Sequence, residues 1–206
     1  LIVVAGFRKK TAVFEVTMNS SENPALAIID MQNDFVLPDS PCCVPGAMDT
    51  IGAIRKLADH FRGNEWPVIY VAREHRPDGS DIERTRVQLF RDGRGICLKG
   101  SRGAQIVEGL EVKPEDYVLV KKRFSAFLFT EFDLLLRRLG IETLAIAGTQ
   151  YPNCIRSTAV DAMARDYRVV VVTDACSASS RRIADNNIED MQNMGIECLP
   201  LGDLIE

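Results

Sequence analysis

Histidine is scarce in this chain. Only His60 and His75 occur among 206 residues, which leaves little for a histidine-rich metal centre or a Cys–His dyad. The six cysteines (Cys42, Cys43, Cys97, Cys154, Cys176 and Cys198) contain no C-x-x-C pair. That spacing argues against a zinc site or a thioredoxin-like redox motif, and reduced thiols in a cytoplasm are expected instead of a disulfide framework. No G-x-G-x-x-G follows the first apolar run, where "DMQND" stands, so a dinucleotide fingerprint is missing. No apolar run approaches the roughly 18 residues of a membrane span. The net charge is −4 with both signs interspersed, so no basic surplus points to nucleic acid or an anionic membrane. Neither a nucleic acid nor a membrane is expected as a partner.

The composition, 46% hydrophobic and 26% charged, is that of a soluble globular chain of one domain. Residues 1–23 place an apolar stretch before a basic cluster, the reverse of a secretory signal. They are expected to form an N-terminal extension, either an added strand or arm or a leader upstream of a start at Met18. The domain proper is then 24–206.

From residue 24 onward, short apolar runs alternate with amphipathic segments. "ALAIID" (25–30), "PVIYVAR" (67–73), "YVLVKK" (117–122), "TLAIAG" (143–148), "YRVVVVTD" (167–174) and "IECLP" (196–200) read as strands. Helices are expected over 49–63, 103–110, 130–140, 153–165 and 181–194. The stretch 74–103 is too long for a simple connection and is expected to carry function or short helices. This alternation predicts an α/β fold: three layers, α-β-α, with a mostly parallel six-stranded sheet and helices on both faces. Such sheets bind ligands outside the carboxyl ends of their strands, near the switch in strand order.

Three chemistry-bearing residues fall at those ends. Asp30 ends the first strand, Lys121 the third, and Cys154 follows the fourth at the start of a helix. Unpaired amides and partial positive charge at a helix N-terminus favour a thiolate, so a lowered thiol pKa is expected for Cys154. A thiolate can attack a carbonyl carbon, a carboxylate can carry the thiol proton to a leaving amine, and a lysine favours both charged forms. Each residue also has a plain structural reading: turn, solvated lysine, buried thiol. A redox role for the thiol, with Cys176 as the nearby second cysteine, and a dyad with His75 stay open at this point.

Three stretches, "AIIDMQNDF" (27–35), "VKKRFSAF" (120–127) and "AGTQYPNCIRSTAVDA" (147–162), together with "VVTDACSA" (171–178), resemble the isochorismatase-like cysteine hydrolases. That family includes nicotinamidases, N-carbamoylsarcosine amidohydrolases and ureidoacrylate amidohydrolases. The resemblance covers about residues 24–204 and implies a Rossmann-like sheet and hydrolysis of a C–N bond in a small amide, carbamoyl or ureide compound. Residue by residue it implies Asp30 as base, Lys121 as the catalytic lysine and Cys154 as nucleophile. It also implies a cis Thr149–Gln150 bond, with the amides of Gln150 and Cys154 as oxyanion hole. Tyr151–Pro152 is a second candidate for a cis bond, and Asn153 for a helix N-cap. Homo-oligomers are common in the family. Where nicotinamidases carry an Asp and paired histidines for a metal, "AREHRPDGSD" (72–81) offers one histidine, so no metal and no cofactor is expected. The competing readings are a metal-dependent nicotinamidase-like amidase, an isochorismatase-type hydrolase and a redox-active thiol protein. Phe35, Arg73, His75, Phe127 and Tyr151 are the candidate substrate-binding residues, with Arg73 or Arg76 suited to a carboxylate.

Overall fold

The computed structural model describes residues 22–205. The expected extension over 1–23 therefore lies outside the described residues except for its last two. Six strands form one sheet: β1 (Pro24–Ile29), β2 (Val68–Arg73), β3 (Tyr117–Lys121), β4 (Thr143–Thr149), β5 (Arg168–Ser177) and β6 (Glu197–Leu199). Their order is β3-β2-β1-β4-β5-β6, and every neighbouring pair is parallel. The central strands are buried along their whole length. That is why they read as unbroken apolar runs and not as alternating ones.

Side chains leave a strand on alternate faces, and β1 divides two cores that way. Leu26 and Ile28 join a cluster with Ile54, Leu57 and Phe61 of α2 (Ile51–Gly63). Ala25, Ala27 and Ile29 face the other layer, built from α4 (Phe132–Arg138), α5 (Arg156–Met163) and α6 (Arg181–Asn193). Each large apolar side chain fully buried between layers contributes about 1.5–3 kcal/mol. Two one-turn helices, α1 (Asn33–Val36) and α3 (Val87–Arg91), lie in the connections at the carboxyl end of the sheet.

Some expected elements differ. The stretch 103–110 is not a helix. It holds a 3-10 turn at Arg102–Ala104, then a short extended piece with Ile106 bridged antiparallel to Gln32, then a turn at 108–109. Two glycines explain this. Gly103 lies against the Asp34 carboxylate where no Cβ would fit, and Gly109 sits at φ +95°. The helix expected at 153–165 begins earlier, as a π-turn over Tyr151–Ile155 that passes into α5. Gln150 occupies the N-cap position that Asn153 was expected to fill.

Candidate active site

The sheet order reverses direction between β1 and β4, and the site is built there. Ile29 pairs with Gly148 of β4 and with Val71 of β2, while Arg73 pairs with Lys121 across β2 and β3. Register alone thus brings the ends of four strands to one spot. Asp30 leaves β1 at φ +52°, an uncommon conformation for a residue with a side chain. Gly148 has φ +116°, and a Cβ there would overlap the Ile29 carbonyl. The closeness of β1 and β4 therefore requires glycine at that position. The Thr149–Gln150 bond that follows is cis, and the π-turn then delivers Cys154.

Lys121 Nζ lies 2.8 Å from Asp30 Oδ2 and 3.3 Å from Cys154 Sγ, and it also donates to the Arg123 carbonyl at 3.2 Å. Asp30, Lys121 and Cys154 are all buried. Neighbouring Lys122 points the other way, toward Asp81 at 3.2 Å and the Glu74 carbonyl, as strand alternation requires. Arg73 closes the ring of charge. Its Nε is 3.6 Å from Asp30 Oδ2 and its Nη2 3.8 Å from Cys154 Sγ. Glu83 holds the guanidinium from behind with two bonds of 2.8 and 3.2 Å. The backbone of Arg73 is clamped by Gln32, which accepts from its N–H and donates to its carbonyl, each at 2.7 Å. Asp30 Oδ1 and Arg73 Nε are buried without a hydrogen-bond partner among the described residues.

The thiol does not follow the helix-terminus expectation. Burial pushes its pKa up, and the Asp30 carboxylate adds to this, while Lys121 and Arg73 pull it down. For Arg73, burial acts against the charge, but Cys154, Asp30 and Glu83 outweigh it and the pKa rises.

A small cavity of about 10 Å³ adjoins the sulfur, lined by Asp30, Phe35, Val44, Arg73, Arg86, Thr149, Gln150, Asn153 and Cys154. Phe35, Arg73 and Gln150 thus stand where expected. Three other residues do not. Phe127 packs in the core against Phe132, with ring centroids 4.8 Å apart, and against Tyr167. Tyr151 turns away from the sulfur, donates to the Thr173 carbonyl at 3.1 Å, and walls a separate cleft of about 700 Å³ with Asp174, Cys176 and Arg181. His75 is fully buried beneath Arg73, at 3.4 Å from its Nη1 and 3.3 Å from Asp81. Burial and the Arg73 charge push its pKa down to about 4, with Asp81 opposing. The sequence does not single out Gln32, Glu83 or Arg86, and it singles out Asn153 only as a helix cap, not as part of the cavity wall. Gln32 and Asn153 sit inside quoted motifs, whereas Glu83 and Arg86 fall in a polar stretch with no periodicity to place them. Among the described residues, no three His, Cys, Asp or Glu side chains group as a metal-binding set. Among the same residues, no helix is long and apolar enough to cross a membrane.

Such a strand-end cysteine, lysine and aspartate on a parallel sheet define a class. Residues 24–202 match the isochorismatase domain, and the chain belongs to that family and is a hydrolase. It is similar to the solved structure of an isochorismatase family protein from Desulfovibrio vulgaris. That match has 58% identity and a TM-score of 0.86, over 88% of this chain and 95% of the other. An N-carbamoylsarcosine amidase from Thermoplasma acidophilum matches at 33% identity and TM-score 0.75, over 89% and 99%. A protein of Arabidopsis thaliana described as a probable inactive nicotinamidase is 41% identical, over 85% and 91%.

Proposed function

We propose that this protein hydrolyses a C–N bond in a small amide, carbamoyl or ureide compound through a covalent intermediate on Cys154. The observation that carries the reading is the placement of Lys121 Nζ between Asp30 Oδ2 at 2.8 Å and Cys154 Sγ at 3.3 Å, out of water. The likeness to a protein described as an amidase supports it.

Asp30 takes the thiol proton, and its unpartnered Oδ1 is the free acceptor. The sulfur forms a bond to the carbonyl carbon, and the carbonyl oxygen becomes an oxyanion. The amides of Gln150 and Cys154 are assigned to that oxygen. Collapse breaks the C–N bond, and the proton held by Asp30 goes to the departing nitrogen. Water then attacks the thioester or S-carbamoyl group, giving a proton to Asp30. The C–S bond breaks, the acid product leaves, and Asp30 returns that proton to the sulfur, restoring the thiol. Lys121 and Arg73 stabilise the sulfur anion between these steps. Lys121 also fixes the orientation of Asp30.

Ammonia release from a panel of small amides, carbamoyl acids and ureides tests this, with wild type and Cys154→Ala, each with and without a chelator. Release that needs Cys154 and ignores the chelator is expected. Release that persists in Cys154→Ala, or disappears with chelator, would overturn the metal-free thiol reading.

A further inference from the structure

The charges around the cavity do not balance. Asp30 is paired with Lys121 at 2.8 Å, and both oxygens of Glu83 are bound to Arg73. A third cation, Arg86, lines the same cavity. Among the described residues its side chain makes no hydrogen bond and no ion pair. Its guanidinium lies over the Phe124 ring at 4.9 Å from the centroid, and the same ring backs Arg73 at 5.2 Å. Stacking fixes the plane of a guanidinium and leaves its edge N–H groups free to bind.

Position reinforces this. Arg86 ends a 3-10 turn, Arg84–Arg86, whose N-cap residue is Glu83, and its own N–H donates to the Glu83 carbonyl at 2.8 Å. One turn therefore carries both the carboxylate bound to Arg73 and a second cation, which shares the field of Glu83 but has no hydrogen bond or ion pair of its own among the described residues. The other arginines suited to a carboxylate are occupied. Arg73 is held by Glu83, and Arg76 pairs with Asp78 at the surface. A cation in a confined site is stabilised by a bidentate anion more than by a neutral polar group.

We propose that Arg86 determines specificity by anchoring a substrate carboxylate, so that the substrate is a small acid bearing a primary amide, carbamoyl or ureide group. This rests on the reading of Cys154 as nucleophile. A neutral amide leaves Arg86 unanswered, so it is a poor substrate even though its scissile group is the same.

The test uses matched pairs: succinamic acid and its methyl ester, and N-carbamoyl-β-alanine and its methyl ester. Wild type is expected to prefer the acid of each pair by at least about 100-fold in kcat/KM, since a site built for a polar group rejects the analogue lacking it. Arg86→Gln should erase the preference, chiefly through KM. Arg86→Lys should keep part of it, having the charge without the fork. Equal turnover of acid and ester by wild type, or a preference unchanged in Arg86→Gln, overturns the proposal.

Calorimetric titration of Cys154→Ala with the same acids reads the anchor without turnover, so failure of the nucleophile and failure of the anchor are separable. The acids should bind and the esters should not, and adding Arg86→Gln should abolish binding. No binding of either acid to Cys154→Ala overturns the anchor.

Discussion

At the scale of single residues, the site is a problem in charge balance. Cys154 is raised by burial first and by Asp30 second, and is lowered by Lys121 and Arg73. Removing one of the two cations removes a lowering contribution, so the sign is fixed. Arg73→Met should move the pH midpoint for alkylation of Cys154 by iodoacetamide upward, and Arg73→Lys should move it less. The same Met variant leaves Glu83 without its partner in a largely buried position. A cost of roughly 3–5 kcal/mol is expected in urea unfolding. An unchanged alkylation midpoint in a folded Arg73→Met protein would show that Arg73 does not act on the sulfur. Asp30, Lys121 and Cys154 could be read from the sequence because each is a polar residue at the end of an apolar strand. Phe127, Tyr151 and His75 could not be placed that way. Whether an aromatic or imidazole side chain faces the cavity or the core is decided by the π-turn and by what packs beneath Arg73, and neither leaves a periodic trace. Arg86 is missed for the same reason: its importance comes from lacking a partner, which is a property of the folded site.

At the scale of elements, the strands and long helices follow from apolar pattern, while the turns between them follow from local backbone demands. Gly148 shows this best. It reads as the end of a strand, but in the structure it is the point where β4 passes β1 too closely for any Cβ. Gly148→Ala should therefore destabilise the fold by more than about 4 kcal/mol, through overpacking against backbone and a positive φ. Gly52, in the first turn of α2, is the natural control. A Cβ there meets nothing within 4 Å, so Gly52→Ala should stabilise by roughly 0.5–1 kcal/mol. Urea midpoints for both variants check this. Loss of stability in Gly52→Ala, or tolerance of Gly148→Ala, would contradict the packing described. The misread stretch 103–110 makes the same point from the other side. Its pattern suits a helix, but the Asp34 carboxylate occupies the space a side chain at 103 would need. Asp34 also accepts from the Cys97 amide at 2.6 Å, so it has a reason to stay.

At the scale of the whole molecule, the doubly covered parallel sheet could be anticipated because two periods alternate along the chain. The strand order was not written in any one segment. It matters because the switch between β1 and β4 sets Asp30 and Cys154 side by side. Just beyond β2, the returning segment 90–98 bridges Leu98 to His75 and sets Phe90 edge-on to its ring, burying the imidazole under Arg73, and this has a global consequence. A histidine with an ordinary pKa near 6.5 in the unfolded chain is held at about 4 in the fold, by burial first and by Arg73 second. The folded-state value is depressed, so between pH 6.5 and 4 the unfolded chain binds a proton that the folded protein refuses. Stability from this group is complete above pH 6.5 and is lost as pH falls toward 4, by roughly 3 kcal/mol in all. Carboxylates also lose their pairings in that range, so the wild-type curve alone cannot isolate the effect. The difference between wild type and His75→Gln can. The variant lacks the titrating ring, and its packing defect is independent of pH. The stability gap between the two proteins, measured by urea unfolding, should therefore narrow or reverse by roughly 3 kcal/mol between pH 7 and pH 4. A constant gap would mean that His75 keeps its ordinary affinity for protons, and that the Arg73 guanidinium does not press on it as the 3.4 Å approach indicates.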